Sequence, residues 1–155
     1  MGSDFTVIIR VRQHFGDDED SMPGAFVGNN NSYPFPCPNV DSTQEAVLLF
    51  QTLGVSHDRN FIAVNSTGAT GEPEVYGGIP VSRSDQDWNG NVMLIRPGVL
   101  TENNVLRLGA RASNGSLLGD IDEFVIDNVV VLFKTRPSWP FLSKLGDWVR
   151  TRRSS

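Results

Sequence analysis

Apolar β-formers alternate with polar residues through much of this chain, and Gly or Asn closes each run. The runs AVLLFQTLGV from Ala46, NFIAVN from Asn60, NGNVMLIRPG from Asn89 and NNVLRLGA from Asn103 share this two-residue rhythm. Half-buried strands need that alternation, whereas helices repeat their apolar positions every three to four residues. The spacing predicts strands at Phe5–Arg12, Ala25–Val27, Glu45–Leu53, Asn60–Asn65, Val75–Val81, Asn91–Arg96, Asn104–Ala112 and Glu123–Lys134. In the first, Phe5, Val7, Ile9 and Val11 should share one face. The last contains FVIDNVVVLF, which is apolar nearly throughout and is therefore expected to be covered on both faces. Between the first and third strands, residues 16–45 hold DDED (Asp17–Asp20), GNNNS and PFPCP without clear periodicity. They read as a long irregular connection interrupted only by Ala25–Val27. Eight strands at this spacing predict an all-β fold, a two-sheet antiparallel β-sandwich.

The rhythm changes at the end. SWPFLSKLGDWVRTRR places Trp139, Leu142, Leu145 and Val149 at helical spacing, flanked by Trp148. Ser138 suits the cap position and Pro140 the first turn. A sandwich domain over 1–136 followed by a short amphipathic C-terminal helix over 137–155 is therefore expected. So short a helix is marginal alone in water and needs an apolar surface. In order of preference this is its own sandwich, a neighbouring subunit of a homo-oligomer, or a membrane surface, with Trp139, Leu142, Leu145 and Trp148 as the interface anchors.

Charge sharpens this division. Residues 1–133 carry 7 basic and 17 acidic side chains, while residues 134–155 carry 6 basic and 1 acidic. An acidic body repels phosphate backbones, so nucleic acid is not an expected partner. The single Cys37 excludes an intrachain disulfide and a cysteine-based zinc site. No run approaches the roughly 18 apolar residues of a membrane-spanning helix. The start, MGSDFTVIIR, reads as a strand rather than a signal peptide. A soluble protein is expected, its compartment left open.

Several positions together suggest a family. Phe50, Gly54, Asn60, Val64-Asn65, Gly77-Gly78, Met93–Ile95, Pro97-Gly98, Leu100 and Asn104-Val105-Leu106 follow one another as strand ends and turns. A closing strand is then entered through Asp122-Glu123-Phe124. Over about residues 45–134 this order resembles the galactose-binding-like jelly rolls, which include sugar-binding domains of glycoside hydrolases. Asn65 is followed by Ser66 where the family's turn has Gly. The resemblance implies a jelly-roll sandwich that binds a carbohydrate or similar polar ligand at one rim, without catalysis.

Trp88 is the leading candidate contact. It lies in SRSDQDWNGN, where Asp85, Asp87 and Asn89 offer oxygens and amides suited to sugar hydroxyls. An exposed indole supplies a flat apolar face for a pyranose ring. By the resemblance, His57 and Arg59 in the loop before Asn60 join it as outer contacts, and Tyr76 adds a hydroxyl or stacking face. Similar modules can carry a structural ion ahead of the last strand. The resemblance therefore makes Asp120, Asp122 and Glu123 candidate ligands for Ca2+, with Asn39 and Asp41 as further donors. Neither of the two histidines, His14 and His57, sits in a metal-ligand spacing or a nucleophile motif, and no phosphate loop is present. An assembly protein joined through the C-terminal helix is the rival reading.

Overall fold

The structure, a computed structural model, describes residues 2–65, 78–84 and 86–137. Nine strands run through them: β1 (Gly2–Ile9), β2 (Gln13–Phe15), β3 (Ala25–Gly28), β4 (Asn30–Pro36), β5 (Ala46–Leu53), β6 (Phe61–Val64), β7 (Asn89–Ile95), β8 (Asn103–Gly109) and β9 (Phe124–Thr135). The larger sheet has the order β3-β2-β9-β5-β7, with β1 also paired to β9, and the smaller has the order β4-β8-β6. Every pairing is antiparallel except β2 with β3. The long β9 organises the larger sheet. Its one edge takes β1 along Val129–Thr135 and then β2 along Phe124–Ile126, and its other edge takes β5.

The inner faces of the two sheets form one core. Leu48 and Phe50 of β5, Ile95 of β7 and Ile126 of β9 pack in the same cluster as Ile62 of β6 and Leu106 and Leu108 of β8. Phe15 stacks on Phe124 with ring centroids 5.2 Å apart, locking β2 against the start of β9. The expected two-sheet, all-β architecture is present. Residues 138–155, on which the C-terminal helix was expected, lie outside the described residues, as does most of the segment 75–81. The described part of that segment is not a strand: Gly78 makes one bridge to Phe61, and Val81 is exposed.

Three local departures have physical causes. A register shift between Val7 and Ile9 turns the chain over, so Phe5 and Val7 face outward while Ile9 is buried and Val11 lies beyond the strand, exposed. The irregular segment 16–45 hides one unexpected strand, β4, and a second, β2, lies just before it. In β4, Pro34 and Pro36 are tolerated because it is an edge strand bonded only to β8. Finally, β9 is not covered throughout, since Leu132 on its outer face is 39% exposed.

Candidate functional site

Trp88 stands at the entrance to β7, beside a surface hollow of about 570 Å³. Arg83, Asp87, Trp88, Asn89 and Asn91 line the hollow, together with Pro80, Val81 and Gly90. The turn that builds it is self-organised. Ser84 Oγ accepts the backbone N–H groups of Gln86 and Asp87 at 3.2 and 3.1 Å and donates to Asp87 Oδ2 at 2.9 Å. Asn89 Nδ2 donates to Asp87 O, and Asn91 Nδ2 donates to Thr52 Oγ1 on β5 at 2.9 Å. Trp88 itself is 38% exposed. The guanidinium of Arg12 lies 4.9 Å from the centre of its ring and reaches Asp127 of β9 at 3.7 Å. A cation over an indole face is attracted by the ring quadrupole, so the ring is held in place from the sheet below. The result is a partly exposed, braced aromatic plane beside a carboxylate, a guanidinium and two amides. Such a plane can stack against an apolar ring face while the polar groups bond hydroxyls.

Of the candidate contacts, the structure brings Trp88, Asp87 and Asn89 to one hollow. Sequence reasoning missed Arg83, in the same loop, and Arg12, whose approach from 76 positions away leaves no local signal. His57 and Arg59 do not line the hollow. Arg59 N donates to His57 Nδ1, and the exposed Arg59 side chain lies 3.7 Å from Asp58, so together they form a solvated turn. Asp85 and Tyr76 lie outside the described residues, as do Trp139, Leu142, Leu145 and Trp148.

The carboxylates ahead of β9 are engaged elsewhere. Asp122 accepts Ser56 N at 3.0 Å, Ser56 Oγ at 2.5 Å and Asn60 Nδ2. Buried Asn60 in turn accepts the backbone N–H of Arg111, whose guanidinium lies over Phe61. Glu123 points into another cluster. Its Oε1 accepts the N–H groups of Asp17 and Asp18 at 2.6 and 2.9 Å, and its Oε2 meets His14 Nε2 at 2.6 Å and Ser21 Oγ at 3.0 Å. Burial pushes the Glu123 carboxyl up, but the backbone donors of Asp18 and Asp17, with His14 and Ser21, outweigh it and hold it below its ordinary value. Asp17 moves the other way, raised first by its hydrogen bond to Glu123. Asn39 and Asp41 are also occupied, with Arg136 O and with Thr43 respectively.

Calcium does not fit this arrangement. Asp122 and Glu123 have their oxygens filled by N–H and O–H donors within separate clusters. Among the described residues no group of three or more His, Cys, Asp or Glu side chains is placed to hold a metal ion. The expected Asp120, Asp122 and Glu123 site is thus not brought together: Asp122 is engaged by Ser56 and Asn60, and Glu123 by His14, Ser21 and the N–H groups of Asp17 and Asp18.

The Ser21, His14 and Glu123 cluster is not a nucleophile relay either. Ser21 and Glu123 both approach the same ring nitrogen, Nε2, at 3.3 and 2.6 Å, while Nδ1 is buried and unpartnered. A relay needs nucleophile and orienting acid on opposite nitrogens. No protein-family model matches the chain, and no curated protein matches it.

Proposed function

We propose that this chain is a non-catalytic binding module that recognises a carbohydrate or similarly hydroxylated ligand at the Trp88 hollow. The observation that carries the reading is the braced, 38% exposed indole beside Asp87, Asn89, Asn91 and Arg83. We further read the sandwich as a jelly roll of the galactose-binding-like kind. Three turn positions support this reading through their backbone: Gly54, Asn65 and Gly98 all have positive φ, at 80°, 53° and 87°. Asn104 supports it by a different route, accepting Thr101 N and Asn65 Nδ2 to pin the loop before β8. The rim loop before β7 then carries specificity on a rigid scaffold.

A glycan array probed with the intact protein tests this, with calorimetry on the best hit. Trp88→Ala should weaken that binding at least tenfold while the thermal unfolding midpoint stays within a few degrees. A chelator should leave binding unchanged, since Asp122 and Glu123 already have partners. A blank array from folded protein would remove the carbohydrate reading and leave assembly as the better account.

A further inference from the structure

The outer face of the larger sheet carries two registered rows of apolar side chains. Across β1, β9, β5 and β7 the first row runs Phe5, Leu132, Val47, Leu94. The second runs Val7, Val130, Leu49, Val92. Directly opposed residues on antiparallel strands project to the same side, so these eight side chains form one continuous surface. Phe5, Val92 and Leu94 are 60%, 67% and 60% exposed. Contiguous apolar surface on the order of several hundred Å² is a mark of an interaction site.

We propose that this face is the docking surface for the chain's own segment 138–155, laid across the four strands as an amphipathic helix. Four observations select that occupant. The chain is tied to the sheet up to Arg136, whose N–H donates to Asn39 O, so residue 138 starts only a few positions beyond Leu132 of the first row. Trp139, Leu142, Leu145 and Val149 then recur at helical spacing. Twelve helical residues span about 18 Å at 1.5 Å each, against about 14 Å across three inter-strand spacings. The segment is basic, with 4 basic and 1 acidic side chains, whereas residues 1–137 carry 9 basic and 17 acidic. The other undescribed stretch, 66–77, is a poorer candidate. It leaves and rejoins the smaller sheet, where Asn65 N donates to Val105 O and Gly78 bridges Phe61. Glycan binding at Trp88 and docking on this face are independent, and either can hold without the other.

Hydrogen exchange on the intact protein tests the docking. The amides of residues 141–150 should exchange at least tenfold more slowly than those of an unstructured chain. That protection should hold over a hundredfold dilution. Val92→Glu with Leu94→Glu should abolish it; both side chains point to solvent, so the sandwich tolerates the change. Leu145→Asp should abolish it from the other side. Exchange at unstructured rates in the intact protein overturns the proposal, as does protection that survives both variants. Protection lost on dilution would place the segment on a second copy. Protection appearing only with phosphatidylcholine–phosphatidylglycerol vesicles would place it on a membrane. Either result also overturns it.

Discussion

Glu123 is the residue whose surroundings say most about the stability of the sandwich. It ties the acidic loop at Asp17 and Asp18 to the entry of β9, across more than a hundred positions of sequence. Its folded carboxyl titrates below the ordinary value of 4.5, so its contribution is present above that pH and fades as pH falls through the folded value. Glu123→Gln should therefore lower the thermal midpoint at pH 7, and the gap from wild type should narrow as the pH falls below 4.5. Asp17 works in the opposite sense. Its raised carboxyl favours the folded state at low pH and loses that advantage as pH rises through the folded value, so the two residues are best titrated separately by differential scanning calorimetry. A midpoint gap that stays constant with pH would show that the Gln variant loses packing and not charge. None of this was legible in the sequence. DDED reads as a solvated acidic run, and nothing local to His14 or Glu123 announces that they meet. Trp88, Asp87 and Asn89 were legible because a single turn holds all three.

At the scale of elements, alternation found β5 and β9 to within a residue and β8 to within three, because each has a buried face and a turn at its end. It missed β2, which is too short to alternate visibly, and β4, whose two prolines suggest a loop until its edge position is known. It also misjudged the face presented by β1, because one extra residue at the bulge inverts everything after it. The end of β5 shows how closely an element and its loop are fitted. Gly54 has φ of 80°, and a β-carbon there would overlap Met22 Cε and crowd Glu123 O. Gly54→Ala should cost about 1–2 kcal/mol from the backbone alone, with more from displacing Met22. Chemical denaturation measures this directly, and a cost below about 0.5 kcal/mol would mean that the loop yields freely.

For the molecule as a whole, Cys37 reports whether the two sheets separate together. It is fully buried at the end of β4, where Thr6 of β1 donates to Pro36 O and Cys37 N donates to Glu102 O. Burial, with the nearby Asp4 carboxylate, pushes its thiol up to about 11, so almost no thiolate is present at neutral pH. Iodoacetamide should leave native protein unmodified at pH 7.5, and labelling across a urea series should follow the fluorescence unfolding curve. Labelling that runs ahead of that curve would identify a local opening at this corner.

The position of β9 within its sheet bears on how the chain is made. Among the described residues it is the last strand in sequence, yet it joins β1, β2 and β5, so those pairings wait until residues 124–135 have been synthesised. Each bridges a long stretch of sequence, which slows two-state folding through the entropy of closing large loops. A nascent chain halted before Phe124 would expose β5 along an unpaired edge together with the apolar side chains meant for the core, and would depend on chaperones to stay unaggregated.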